Sequence, residues 1–257
     1  MNIRDFAKYA ILLAGSLARR NRGSKILYYH DIFSTRNYRA LDAEIFMGTP
    51  LELFKEHVRV IREEGFEIVR EITQADGQVA IMLDDGFRGI YECREYFYKN
   101  GICPTIFLPV EFIGRKDLGI MTEEEILELQ EHGFRFESHT WRHRALTEVP
   151  PGELTLELSG AREKLSEMLG RDVRGLCMPL GFFSDKLIAD IRANGYSEIY
   201  SCIPGNFADR PLGSLITRNL CQYATPAEVR LILRGGNELL KSRYLKLHRH
   251  ADETNTH

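Results

Sequence analysis

The chain has 257 residues, with 34 Lys plus Arg against 37 Asp plus Glu and a formal net charge of -3. That length can bury a full core, either as one α/β barrel or as two small domains. The near-balanced charge, without a long basic block, argues against a nucleic-acid-binding protein.

The first predicted element is a helix over the apolar run from Phe6 to Ala18. It is too short to span a bilayer. Lys8 interrupts it and Arg19-Arg20-Asn21-Arg22 follows at once, which fits a signal-peptide core poorly. Residues 1–24 are therefore set apart as a helix that packs on the rest of the chain, with peripheral membrane contact beside the arginines as the lesser reading. Lys25 to His30 reads as the first strand, and residues 32–48 as a long irregular loop. Thr49-Pro50-Leu51-Glu52 reads as a helix start with Thr49 as N-cap. The helix carries Leu51, Phe54, Val58 and Ile61 at helical spacing and stops at Gly65. His57 on this helix, like His132 further on, reads as a surface residue.

A strand over Phe66–Val69 precedes Val79-Ala80-Ile81-Met82-Leu83-Asp84-Asp85-Gly86-Phe87. Five unbroken apolar residues predict a strand buried on both faces, so the two carboxylates must sit at its end. Alternation along a strand would let Asp84 and Asp85 face different ways and do different work. An isolated Asp-Asp-Gly would be read as a turn. The pattern then repeats: a helix from Tyr91 to Asn100, a strand from Cys103 to Val110, and a capping box at Thr122 to Glu125 opening a helix towards Gly133. A strand from Phe134 to Ser138 leads to His139. A helix is expected from Pro151 to Leu169, a strand from Val173 to Met178, a helix from Ser184 to Asn194, strands over Glu198–Cys202 and Ser214–Leu220, and a last helix start at Thr225-Pro226-Ala227-Glu228. Residues 248–257, including His248, His250 and His257, read as a polar tail. Cys93, Cys103, Cys177, Cys202 and Cys221 are scattered, with no Cys-x-x-Cys, and read as reduced thiols, hence a cytoplasmic setting with possible membrane association. No linker divides the chain. Alternating strands and helices predict a mostly parallel sheet, and residues 25–247 are expected to form a single barrel.

In such a barrel the chemistry collects at the C-terminal strand ends. His30, Asp84, Asp85, His139, His143 and Pro179-Leu180-Gly181 fall there, and Arg218, within the last strand, can point into the same mouth. Two histidines four apart lie on one face of a helix or strand, so one metal can meet both. Thr140 follows His139 where a zincin protease needs Glu, which removes that reading. Two imidazoles plus one carboxylate make a three-ligand site with open positions, the catalytic rather than the structural arrangement. Asp85 is the candidate carboxylate, leaving Asp84 free to take a proton from water.

Leu83-Asp84-Asp85-Gly86-Phe87 and His139-Thr140-Trp141-Arg142-His143 together resemble the first two signatures of the NodB-homology polysaccharide deacetylases, carbohydrate esterase family 4. Tyr28-Tyr29-His30 and Met178-Pro179-Leu180-Gly181 resemble segments of the branch that deacetylates poly-N-acetylglucosamine. The likeness runs over residues 25–220. It implies a distorted (β/α)7 barrel and a metal-dependent hydrolase that removes N-acetyl groups from an amino sugar in a glycan. Asp84 would be the general base. Asp85, His139 and His143 would hold a divalent metal, usually zinc. A backbone N–H near Leu180 would meet the oxyanion, and His30 is the candidate general acid. His30 reads equally as a buried strand-end histidine.

The chain departs from the family's third signature, with Cys177 and Leu180 where Arg and Tyr are usual; Arg218 is the candidate replacement for that Arg in orienting Asp84. The Leu-x-x-x-His of the fifth signature is not evident. Two further readings stay open: a deformylase or deacylase of a lipid-linked or small-molecule amide, and an inactive glycan-binding barrel.

Overall fold

Every strand pair of the main sheet is parallel in the computed structural model, which describes residues 3–19, 21–34 and 48–250. The strands are β1 Lys25–Tyr29, β2 Asp31–Phe33, β3 Gly48–Pro50, β4 Glu67–Val69, β5 Gln78–Leu83, β6 Thr105–Leu108, β7 Arg135–Ser138, β8 Gly175–Cys177, β9 Glu198–Tyr200, β10 Leu215–Ile216 and β11 Asn219–Leu220. The sheet runs β10-β9-β8-β7-β6-β5-β1-β11, and β4 pairs the first half of β5 on the edge that β6 takes further along.

The two ends of that path are joined by Thr217 and Arg218 alone. Three residue steps reach at most about 11 Å, so the sheet has to curl until its edges meet. β10 and β11 act as one interrupted strand, pairing with β9 on one side and β1 on the other. With β1, β5, β6, β7, β8 and β9 it completes a ring of seven, the distorted (β/α)7 barrel that the sequence implied.

Strand alternation divides the side chains between two cores. Ile26, Tyr28, Ala80, Met82, Phe107, Cys177, Tyr200 and Ile216 fill the barrel. Leu27, Tyr29, Val79, Ile81, Leu83, Ile106 and Leu108 face outward into a larger core shared with the helices. Sheets buried on both faces need helical cover. It comes from α1 Ile3–Arg19, α2 Leu51–Glu63, α3 Gly89–Glu92, α4 Arg94–Asn100, α5 Glu123–Glu131, α6 Pro151–Thr155, α7 Ala161–Leu169, α8 Asp185–Ala193, α9 Pro226–Leu233 and α10 Lys241–His248. The capping boxes at Thr122 and Thr225 form as their sequences predict.

Several expectations are corrected. Thr49 does not cap α2; it lies in β3, paired with β2, and its hydroxyl donates to the Gln222 carbonyl at 3.1 Å. The ends of the expected loop are thus a short ladder, while residues 35–47 lie outside the described residues. His57 is fully buried rather than on the surface. Its Nε2 donates to the Ala224 carbonyl at 2.8 Å, so Nδ1 accepts from the Tyr29 hydroxyl at 3.1 Å. Burial lowers its pKa, which keeps the ring neutral and the tautomer fixed. The run from Pro151 to Leu169 is not one regular helix, because Leu156–Gly160 forms a π-turn between α6 and α7. The first residues of the expected tail are held: Phe183 N–H donates to the His248 carbonyl and His250 N–H to the Phe183 carbonyl. Residues 251–257 lie outside the described residues.

Helix α1 meets the turn Gly236–Leu240 through two glycines. A Cβ on Gly15 would lie 2.1 Å from the Gly236 carbonyl oxygen, and one on Gly236 would lie 2.5 Å from that of Leu12. Backbone blocks relief on both sides. Gly15→Ala is expected to displace α1, costing about 1–3 kcal/mol of stability and exposing the segment before β1 to proteolysis. Denaturant titration and limited digestion check this, and a variant as stable and resistant as the parent refutes it.

Candidate active site

Asp84 continues the inward series of Ala80 and Met82 and so points into the barrel mouth. It is buried there. Arg218, fully buried at the seam between β10 and β11 rather than within a strand, reaches it from across the barrel. Arg218 Nη1 and Nη2 donate to the two Asp84 oxygens at 2.6 and 2.9 Å, a two-point charge-assisted pairing. Nε donates to the Ser201 carbonyl at 3.0 Å and Nη2 also meets Cys177 Sγ at 2.9 Å. The guanidinium lies over the Tyr28 ring, 4.2 Å from its centroid. Burial alone would raise the Asp84 carboxyl. Arg218, with smaller contributions from His139 and His30, outweighs it and holds the group below its ordinary value, as an anion at neutral pH.

Asp85 does not reach its partners by strand alternation. Its φ is 72° and that of Gly86 is 73°, so the chain turns left-handed directly after Asp84. Glycine suits position 86, where φ is left-handed and a Cβ would lie 2.7 Å from Leu108 Cδ2, so that side chain would have to shift. The turn carries the Asp85 carboxylate to the histidine pair, with His143 Nε2 at 3.1 Å and His139 Nε2 at 3.4 Å from Oδ1. His139 Nδ1 donates to the Cys177 carbonyl at 2.7 Å, so Nε2 is the ring atom turned to Asp85. Burial raises the Asp85 carboxyl, but the two imidazoles overcome it and hold it well below the usual range. Burial likewise lowers the pKa of His143, and Asp85 more than offsets it, leaving a net rise.

Asp85 Oδ1 is nonetheless a buried oxygen without a hydrogen bond, which invites a cation. The three ligand atoms lie within 4.8 Å of one another. A tetrahedral ion with bonds of ~2.0–2.1 Å sets its ligand atoms about 3.4 Å apart, close to the separations found. One carboxylate and two imidazoles therefore fit a divalent metal with open positions. Asp84, His139 and Cys177 also cluster. There, Arg218 occupies both Asp84 oxygens and burial pushes the Cys177 thiol well above its ordinary pKa, so that set fits an ion poorly.

The expected helical or strand face for the histidines is replaced by a tight loop. Thr140 and His143 both have positive φ, 69° and 56°, an unusual state for a β-branched threonine. The surroundings hold it there. Thr140 N–H donates to Ser138 Oγ and His143 N–H to Thr140 Oγ1, both at 3.2 Å. The Trp141 and Arg142 N–H groups both donate to Glu157 Oε2, at 3.0 and 2.9 Å. Glu157 is fully buried and sits in the π-turn, with its carboxylate under the loop. Sequence gives no sign of this role, since a glutamate in a helical run ordinarily faces water.

His30 follows β1, half-buried, with Nδ1 hydrogen-bonded to the Gln222 side chain. It is near enough to depress both aspartates, after the larger effects of their direct partners. Pro179 and Gly181 are buried in the turn after β8, while Leu180 is 59% exposed with φ of 59°.

A family profile described as polysaccharide deacetylase matches residues 71–199. The chain is 24% identical over 191 residues to the "putative polysaccharide deacetylase YxkH" of Bacillus subtilis, an alignment covering 70% of this chain and 64% of that protein. The chain thus spans less than two thirds of that relative's length. Its fold is similar to that of BC0361, a polysaccharide deacetylase from Bacillus cereus, with a TM-score of 0.69 at 19% identity over 83% of this chain and 69% of the other. It is also similar to IcaB from Ammonifex degensii, with a TM-score of 0.68 at 18% identity over 84% and 98%.

Two outcomes follow from the geometry. Because Asp84 is held below its unfolded value of about 4, its pairing stabilises the fold above that pH and is lost as pH falls through the lower folded value. Arg218→Met strands a buried carboxylate and should cost about 3–5 kcal/mol at pH 7. The deficit should narrow in acid, where the unpaired carboxyl takes a proton. Denaturant titrations across pH check this, and a pH-independent deficit refutes it. Glu157→Ala should weaken binding of a divalent ion by ~10–100-fold, with Glu157→Gln partly restoring it. Calorimetric zinc titration of the metal-free chain reads this directly, and an unchanged affinity in Glu157→Ala removes its positioning role.

Proposed function

Because this chain belongs to the polysaccharide deacetylase family, we propose that it is a zinc-dependent hydrolase that removes acetyl groups from N-acetylated amino sugars in a glycan. The observation that carries this reading is the meeting of Asp85, His139 and His143 around a buried, unbonded carboxylate oxygen, with Asp84 beside them. A divalent ion held by those three residues would polarise the amide carbonyl and lower the pKa of water towards ~7.

The remaining work falls to the chain's own groups. Asp84, an anion at neutral pH, accepts the proton of the attacking water. Arg218 fixes both of its oxygens and supplies the cation that offsets the cost of burying it ionised. The backbone N–H of Leu180, in the turn Pro179–Gly181, would donate to the developing oxyanion. His30 delivers a proton to the leaving amine, its ring oriented through Nδ1 by Gln222. The tautomer of His139 is fixed by the Cys177 carbonyl on Nδ1, which leaves Nε2 as the atom that would coordinate.

Release of acetate from an N-acetylglucosamine oligomer tests the whole scheme. Asp84→Asn should retain zinc binding and lose ~10²–10⁴-fold in turnover, whereas Asp85→Ala should lose both. Full activity after exhaustive chelation would overturn the metal-dependent reading, and turnover on formylated but not acetylated sugars would reassign the acyl group.

A further inference from the structure

Helix α1 is amphipathic the wrong way round for a helix that ends at water. Leu12, Gly15 and Ser16 are buried against the molecule. On the opposite side Phe6, Ala10, Leu13 and Leu17 recur at spacings of four, three and four and form one stripe. That stripe is open: Phe6 is 62% exposed and Leu17 73%. Every exposed position between 6 and 18 is apolar except Lys8, and Lys8 is engaged by Glu228 at 2.9 Å. A solvent-facing helix ordinarily carries its charges there, and an apolar stripe of this length marks an interaction surface.

The neighbouring charge says what it fits. Helix α10, packed with α1 on the turn Gly236–Leu240, contains Lys241, Arg243, Lys246 and no acidic residue. Arg243 and Lys246 are exposed and make no ion pair among the described residues. The sequence also brackets the stripe with Arg4 at one end and Arg19 and Arg20 at the other. Exposed apolar side chains on α1 and the free cations Arg243 and Lys246 on α10 match the acyl boundary and headgroups of an anionic bilayer. A trough of about 230 Å³ lined by Lys8, Leu12, Leu220, Tyr223 and Tyr244 is also lined by Arg218, the partner of Asp84. Among the described residues no helix is long and apolar enough to cross a membrane, so contact at the surface is the form available to α1.

We propose that the outward face of α1, with the basic helix α10, docks on an anionic lipid bilayer and brings the barrel mouth beside it. Docking asks nothing of the barrel's chemistry, so binding can be read without activity. The full chain is sedimented with vesicles of phosphatidylcholine alone and of phosphatidylcholine with a quarter phosphatidylglycerol. The double variant Leu13→Glu/Leu17→Glu, altered only at exposed positions, is run beside it with its thermal midpoint as a folding control. Retention on the anionic vesicles is expected, weakened in 1 M salt, where screening shortens to ~3 Å, and at least about tenfold weaker in the variant. No retention, equal retention on neutral vesicles, or equal retention of the folded variant overturns the proposal. So does a lipid-free dimer that the variant abolishes, which would give the face to a second copy of the chain.

Discussion

The pairing of Arg218 with Asp84 is the constraint on which the rest of the mouth depends. Each is a buried charge that would be costly alone. Neither can be satisfied from its own strand, because they stand on β5 and on the last, interrupted strand, which are not neighbours in the ring. The pair can form only when the sheet has closed. Arg218, in the two-residue break between β10 and β11, keeps the inward phase of Ile216 and lies over Tyr28 and Phe107. Barrel closure and the charge state of the inner aspartate are therefore one event.

Around that pair the backbone accepts strain to place its ligands. Asp85, Thr140 and His143 all have left-handed φ, a conformation that costs non-glycine residues of order 1–3 kcal/mol each. Ser138, Thr140 and Glu157 side chains offset it by satisfying the N–H groups that such turns leave open. Glu157 is the least expected of these. It sits in the π-turn, buried, with its carboxylate under the histidine loop. The same economy serves α1, whose approach to the Gly236 turn leaves room for no side chain at either glycine.

Local signals were legible wherever the cause is local. The apolar run ending in Asp84 and Asp85, the capping boxes at Thr122 and Thr225, and the glycines that stop helices follow from chain stereochemistry and short-range hydrogen bonds. The expectations that failed depended on distant partners. Thr49 is drawn from its capping position by the Gln222 carbonyl, 173 residues on. His57 is buried because Tyr29 and Ala224 close over a helix that its own sequence leaves amphipathic. The two histidines meet Asp85 through left-handed turns that spacing along a regular helix or strand does not describe.

By itself the sequence determined the order of strands and helices, the mostly parallel sheet that such an order favours, and the residues able to bind a cation or move a proton, because burial and periodicity act within a few residues. Only the tertiary structure decided how those residues are used. Ring closure sets Arg218 on Asp84, the left-handed turns bring Asp85 between His139 and His143, and packing determines which face of α1 is left open. Those outcomes turn on contacts between segments far apart in the chain, whose free energy exists only once the sheet has curled shut.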